Sequence, residues 1–591
     1  MHASVKSHSL KIREGFFVSF SLCDSGCVQK ACPLSGENRL TSLLFLCTII
    51  AQGLPGLTED ISQREGVQMA TSEKKRDASW TVRASYALFG LTMAAVLAVC
   101  LGFSWMAYSY KRGTLSNGLL LPAGLAALAL MLPLPARGIR RLCASGRLRA
   151  AWLGTSLVLL AVQIVMIDHY YFYTDWDVQT IVESAMAMVT GEDISRHSNY
   201  FSMYPNNLVL VTLQSWIFRA ASLLGLWDRA YFLLLVFQCV LCWATGLLLC
   251  RIVRTLTGSD GLTAAAYTLY QLLVGLNPWV SIPYSDAVAL FFPTAILAVE
   301  LTSPKRPAAR VLKGFLVAFL SFFSYRIKPQ VLLVFIAILL MRAAKLLRRG
   351  LHRLRAAQLA REAACMGTGA LCAVLLANAM AASVPVTINP EQEMGIAHYL
   401  MMGMNPESFG GYAQQDVSLS WRCGTRAERT RTNLQVLSGR LQEMGPTGLV
   451  KQVLRKTLTN YNDGTFCWAG EGVFYRELLP EKDGVLSPLL RSIYYSHEGA
   501  LYPAYANVVQ ALWMGVLALC AAASLGRQDE RAAILMLTLL ALTLFETLFE
   551  ARARYLFSFA PLYIALAACG IQTCRERCAR LRKSAPSATR A

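Results

Sequence analysis

The sequence predicts an all-α polytopic membrane protein with about 11–13 transmembrane helices and one extracytoplasmic domain of about 118 residues. Three observations carry that prediction. Of the 591 residues, 55% are apolar and only 16% are charged, and the mean hydropathy is +0.42, far from a soluble balance. The apolar material falls into blocks of roughly 17–25 residues, the length a helix needs to cross the hydrocarbon core. The blocks are long and continuous, which argues against the alternating pattern of a barrel. Net charge is +20, but Lys and Arg gather in short connections and in the tail. That is the loop bias of a membrane protein, not a nucleic-acid footprint.

Residues 1–68 differ from the rest, with mixed charges and one short apolar run, SLLFLCTII, too short to span. Met69 opens MATSEKKRDASW, a basic start before a first helix, so Met69 is expected to be the physiological start and 1–68 an untranslated or disordered extension. A transmembrane region then runs over 69–385. Helices are expected at Ser85–Tyr108, Gly118–Leu134 and Ala151–Ile167. Between the last two lie Arg137, Arg140, Arg141, Arg147 and Arg149 with no acid, a cytoplasmic signature that puts the loop 168–207 on the opposite side. Further apolar stretches are Leu208–Leu226, Tyr231–Cys250, Gly261–Leu276 and Asp286–Leu301. Phe315–Phe323 and Val331–Met341 flank SYRIKPQ, each short enough to suggest a hairpin or broken helix whose cations face a cavity. A basic run over 342–361 precedes Met366–Ala382. The segment 386–503 is long enough for a small domain of its own. The final helices are Tyr505–Ala523, Ala532–Phe549 and Tyr555–Ile571, within a region 504–574, followed by the basic cytoplasmic tail 575–591. Counting inside and outside back from the tail works as far as Arg251 and then misses the loop 168–207 by one crossing. Either Leu208–Leu226 is re-entrant or interfacial, or the Arg251 loop is outside despite its charge.

The polar loop 168–207 holds the first candidates for chemistry. Asp175 and Asp177 bracket Trp176, and carboxylates beside a membrane are costly unless used or solvated. Two carboxylates in one loop suit a general base with a helper or metal ligand, against the plain alternative of a solvated pair. Tyr204 and Asn206, in SMYPNN, follow one loop-length later and are either substrate-binding or interfacial anchors. Asp286, in PYSD, is a helix cap or faces the same cavity. Arg326 and Lys328 suit a phosphate, Arg by its fork and Lys as a point charge, with snorkelling as the alternative. Arg552 and Arg554, in EARAR, run against the loop bias and form a second phosphate clamp. In 386–503, Glu393, His398, Asp416, Asp463 and Glu471 are candidates for acceptor binding. Of the seventeen cysteines, many lie in apolar blocks as small hydrophobes. Cys423 and Cys467, the two in 386–503, could pair if that segment lies outside.

Asp175-Trp176-Asp177 in the first large loop, Tyr204-Pro205, PYSD at 283–286 and a late outer segment together resemble the GT-C superfamily of integral-membrane glycosyltransferases. Within it the chain resembles bacterial relatives of dolichyl-phosphate-mannose–protein mannosyltransferases, over roughly 167–571. The resemblance implies a GT-C-like fold in a bacterial plasma membrane and inverting transfer from a polyprenyl-phosphate sugar donor on the outer face. The acceptor would be a glycan, lipid or protein. Asp175 or Asp177 would match the catalytic acid motif. The chain departs from the family in having DWD where a paired Asp-Glu is commoner, and in two extra helices at 85–134. Some members use a divalent cation, Mg or Mn, and DWD does not decide. No GxGxxG or P-loop sits between strand and helix, consistent with a donor that is not a nucleotide sugar. A transporter or flippase, and a surface-polysaccharide polymerase or ligase, are the competing readings; no convincing internal repeat supports the transporter.

Overall fold

The computed structural model describes residues 79–106, 108, 115–131, 148–349 and 356–584. The expectations for 1–68, for Met69 and for the end of the tail fall outside them, as do most of the arginines between the second and third helices. The chain enters through α1 (Trp80–Gly102), whose N-cap Ser79 accepts from the Val82 amide. It returns through α2 (Asn117–Met131), only 15 residues long. α2 packs tightly on the later helix Tyr502–Ala523: a Cβ at Gly124 would lie 1.8 Å from the Ala511 carbonyl oxygen. Small residues at such crossings let backbones approach where lipid supplies no hydrophobic drive. α3 (Leu148–Tyr170) then runs to the acidic loop.

Eight helices among the described residues are long and apolar enough to cross a membrane: Trp80–Gly102, Ala150–Tyr170, Trp227–Thr257, Pro307–Tyr325, Pro329–Arg348, Leu359–Ala382, Tyr502–Ala523 and Glu530–Leu548. They make the chain a multi-span integral membrane protein. α2 is a shorter apolar helix, and the helices at 260–275, 285–300 and 553–584 complete the described bundle.

After α3 come β1 (Tyr173–Thr174), α4 (Trp176–Thr190), α5 (Ser198–Met203) and α6 (Asn207–Leu223). α6 settles the missing crossing. Near its start, Thr212 donates to the Met380 carbonyl, at the last turn of the helix that ends at Ala382 (2.8 Å). Past its end, Arg229 lies 3.8 Å from Asp168 and Tyr231 donates to the Phe172 carbonyl, both at the exit of α3. Gln214 between them donates to the Pro283 carbonyl, just ahead of another helix start. α6 therefore lies across one end of the bundle and does not traverse it. Trp216, Leu223 and Leu224 on it are exposed.

The chain goes on through α7 (Ala230–Thr257), α8 (Asp260–Tyr270), α9 (Ser285–Ala289), α10 (Phe291–Glu300), α11 (Pro307–Tyr325), α12 (Leu332–Arg349) and α13 (Ala356–Ala382). The expected short halves around SYRIKPQ are in fact full helices, α11 of 19 residues and α12 of 18. Their basic turns Arg310–Lys313 and Arg342–Arg349 break the apolar run and so hide the helix ends from a count of apolar residues. Basic groups tie the end away from the acidic loop. Arg342 pairs with Glu300 (2.5 Å), Lys345 with Glu530 (2.7 Å) and Arg254 with Asp260 (3.2 Å).

Residues 386–503 contain α14 (Ile396–Gly403), α15 (Gln414–Arg422), α16 (Arg426–Tyr461, kinked at Gly445-Pro446), β2 (Tyr475–Glu477) and α17 (Leu486–Tyr494). They do not stand apart as expected. Tyr461, Phe466, Trp468, Leu490 and Tyr494 belong to the same buried core as the long helices, and 78–591 form one compact unit. β2 pairs antiparallel with β1, so this segment is stitched to the acidic loop. α18 (Tyr502–Ala523), α19 (Glu530–Leu548), α20 (Ala553–Phe557) and α21 (Ala560–Ser584) complete the bundle.

Candidate functional site

The site gathers at the end of the bundle across which α6 lies. β1 and β2 bring the chain to Asp175, whose amide donates to the Phe474 carbonyl (3.1 Å). Asp175 then caps α4, its Oδ1 accepting from the Trp176 amide (2.8 Å). Trp176 adopts φ 58°, a left-handed conformation that a bulky side chain rarely takes. The turn separates the two aspartates. Asp175 is exposed and spends its carboxylate on the cap. Asp177, half-buried, accepts a hydrogen bond from the Tyr284 hydroxyl (3.0 Å). Burial pushes the Asp177 carboxyl above its ordinary range, against the Tyr284 hydroxyl and the Arg554 charge. The Tyr200 hydroxyl also reaches Asp177 while accepting from Asn207 Nδ2 (2.7 Å). The Trp176 ring stands edge-on to Tyr284 at 4.9 Å and carries the Arg554 guanidinium 4.6 Å from its centroid.

Behind this aromatic wall lies a buried charge network. Arg552 is the extended residue before α20, with φ −150°, so Arg552 and Arg554 project to one side. Both converge on one oxygen of Glu471: Arg552 Nη1 at 2.8 Å and Arg554 Nε at 3.0 Å from Oε2. Arg552 Nε also lies 2.5 Å from Glu550 Oε1, and Tyr555 donates to Glu550 Oε2 (3.0 Å). Burial raises the Glu550 carboxyl, but the Arg552 charge and hydrogen bond, the Arg554 charge and the Tyr555 hydroxyl together outweigh it and hold the group below its usual range. Arg554 Nη1 lies 3.9 Å from Asp286, whose other oxygen pairs with Lys328. Lys328 also sits 4.4 Å from the centre of the Tyr555 ring. The side chains of Asp286 and Lys328 are 2% and 4% exposed. Such ions persist away from water only because they are paired.

The predicted residues thus divide. Asp177, Asp286, Lys328, Arg552 and Arg554 come together. Lys328 and Asp286 are committed to each other, so Lys328 is no free phosphate ligand. Arg326 is half-buried beside them in the chain and makes no ion pair among the described residues. Tyr204 lies at the edge, near Asp177 and Tyr412. Asn206 donates to its neighbour Asn207, and Asn207 reaches the site through Tyr200. His398 is a core residue of the 386–503 layer, bonded through Nδ1 to Ser420 Oγ (2.7 Å). Asp416 is held by Arg440 (2.6 Å) and Asn405. Asp463 braces its own loop, accepting from Thr465 and the Cys467 amide. Glu393 pairs with Arg426 at the surface. The expected disulfide is not formed: Cys423 and Cys467 are both free, buried thiols, Cys423 closing α15 by a contact to the Leu419 carbonyl. Asp175 turns outward and Asp177 inward, and no three His, Cys, Asp or Glu side chains are grouped to hold a metal among the described residues. Sequence reasoning missed Glu550, Tyr200 and Tyr555. Glu550 was legible as the acid of EARAR, two residues before Arg552; the tyrosines carried no signal.

The chain belongs to a family of conserved hypothetical integral membrane proteins, whose family model matches residues 88–575. Comparisons with curated proteins and with solved structures gave no match.

Proposed function

We propose that the protein is a membrane glycosyltransferase that moves a sugar from a polyprenyl-phosphate donor to an acceptor hydroxyl. One observation carries this reading. A half-buried carboxylate with a raised pKa, Asp177, faces the same aromatic-lined site as two convergent arginines at one end of a helix bundle. The carboxylate suits a general base, and the arginines suit a phosphate. In the proposed step the acceptor oxygen attacks the anomeric carbon while its proton passes to Asp177. The bond from that carbon to the phosphate oxygen breaks, and the phosphate leaves with the electron pair toward Arg552 and Arg554. Attack opposite the leaving group inverts the anomeric centre. Tyr284 and Tyr200 orient the Asp177 carboxylate, and the Lys328–Asp286 pair holds Arg554 from behind.

Sidedness supports a site on the outer face of the membrane. With α6 lying across the bundle end, the basic helix ends at Arg254, Arg342, Lys345 and Arg348 all fall opposite the site, as positive-inside topology requires. A lipid-borne donor would reach the site from the bilayer beside the exposed apolar edge of α6. The test is turnover of polyprenyl-phosphate sugars by the purified protein in liposomes; an intact protein that turns over none of them sinks the assignment. A second reading, transporter or flippase, draws on the Lys328–Asp286 pair buried between helices. Substrate movement across proteoliposomes without donor cleavage would select it.

A further inference from the structure

We infer that Glu471 is an exchangeable occupant of an anion seat formed by Arg552 and Arg554, and that the ligand it gives way to is a singly charged phosphodiester. The inference rests on the glycosyltransferase reading and deepens it.

The two guanidinium groups meet at one oxygen, Glu471 Oε2, the arrangement in which one phosphate oxygen would be gripped from two sides. Their carboxylates differ in how firmly they are held. Glu550 follows directly on α19, bonds to Arg552 two residues away, and is fixed again by the Tyr555 hydroxyl. Glu471 Oε2, by contrast, meets the two arginines but has no hydrogen-bond partner among the described residues. Glu471 lies in a single wide turn, Trp468–Gly472, entered through Phe466 and Cys467, both at positive φ (56° and 62°). Each such residue costs on the order of 1–3 kcal/mol, so the turn is held by its surroundings and not by its own preference. The anchor before it is firm: Trp468 Nε1 donates to the Tyr494 carbonyl (2.7 Å), and its ring packs edge-on against Trp279. The five residues from there to Phe474 include Gly470 and Gly472, and the Gly472 position admits no Cβ because one would lie 2.0 Å from the Trp468 ring. Release of Glu471 therefore needs rotation only between Trp468 and Phe474.

Charge fixes the class of ligand. Without Glu471, the cations Lys328, Arg552 and Arg554 face Asp286, Glu550 and the Asp177 carboxylate, three charges of each sign, so Glu471 adds a single negative charge to a balanced set. Glu546 and Lys456, also within electrostatic reach, offset one another. A phosphodiester with one negative charge in place of Glu471 leaves that sum unchanged. A diphosphate-linked lipid would bring an excess. The exchange also reaches the base: Phe474 is bonded to the Asp175 amide, and Arg554 stacks on Trp176. Moving the Glu471 turn therefore re-aims the loop that carries Asp177.

The experiment is binding to the full-length protein in nanodiscs, with three probes: a polyprenyl methyl phosphodiester, inorganic phosphate and the polyprenyl alcohol. Removing the competing charge in Glu471→Gln is expected to tighten phosphodiester binding about tenfold, the scale of one charge-assisted hydrogen bond, with the alcohol unaffected. Saturable binding of inorganic phosphate, tightened equally, supports the seat but makes free phosphate its ligand. Equal or weaker phosphodiester binding by a folded Glu471→Gln protein overturns the exchange. Should that variant not fold, hydrogen exchange on the wild type decides: the phosphodiester must change protection at 469–474, and unchanged protection overturns the inference. Wild-type donor turnover combined with unaltered Glu471→Gln binding would refute the exchange alone. Absence of both turnover and binding would refute the glycosyltransferase reading with it.

Discussion

The two ends of the helix bundle handle charge in opposite ways. At the basic end, cations outnumber acids and pair with them at the surface. Lys345 and Glu530 are 41% and 40% exposed, and Arg342, itself 28% exposed, reaches down to Glu300 at 9%. At the site end, each cation of the buried network has a carboxylate, and the pairs are nearly sealed from water. The first arrangement suits orientation in a membrane, where a surplus of Lys and Arg matters and individual pairs contribute little. The second carries no surplus to spare. An anionic ligand can enter it only by replacing an acid already there, and this singles out the loosely held Glu471.

The widest separation between the ends should appear in activity. Asp177→Asn removes the only carboxylate of the DWD motif that faces the site and is expected to lower sugar transfer by at least about 100-fold. Asp175→Asn should leave the rate within a few-fold and cost at most about 1 kcal/mol as a weakened cap. Transfer of labelled sugar in liposomes compares them, and equal loss in both variants would return the pair to equivalence. Next in size is stability at the buried network. Lys328→Met leaves Asp286 with only the more distant Arg554 at 3.9 Å and should cost about 3–5 kcal/mol. The double variant Lys328→Met/Asp286→Leu should recover most of that, measured by unfolding in detergent.

A smaller effect concerns pH. Burial holds the His398 imidazole down at about 4, against an ordinary value near 6.5. Between these values the unfolded chain binds a proton that the folded chain refuses. Stability is then full above about pH 6.5 and falls by about 3 kcal/mol as pH drops to about 4. His398→Gln should flatten that slope in thermal unfolding between pH 7 and 4; an unchanged slope would assign it elsewhere. The smallest effect belongs to the basic end. Arg342→Ala should change stability by no more than about 1 kcal/mol, and a larger loss would mean that this end is not the loose one.

Much of the architecture could be read from the chain. Apolar runs located nearly every long helix, because a helix in lipid must satisfy its own backbone and show an apolar surface along its whole length. Errors arose where that rule relaxes. α11 and α12 carry basic residues in their turns nearest the basic end, so an apolar count shortened them. α6 is amphipathic, with Thr212, Gln214 and Ser215 buried against neighbours and Trp216 exposed. Composition could not say whether it crosses; its contacts with Met380 at one end and, beyond its other end, with the exit of α3 could. The segment 386–503 is polar on average, yet Trp468 and Tyr494 plug into the bundle core, which an average conceals.

By itself the sequence determined the material of this protein: an integral membrane chain of many helices, basic at one set of ends, with an acidic loop and an arginine pair far apart in order. Lipid imposes those patterns residue by residue, so they survive in a linear reading. Only the tertiary structure decided which of two neighbouring aspartates faces the site, because that turns on the backbone of Trp176. It also decided what the arginines meet. Glu471, Asp286 and Lys328 lie up to 268 positions from Arg554 in the chain, and charge pairing at such separations is a property of how helix ends converge, with no local pattern to announce it.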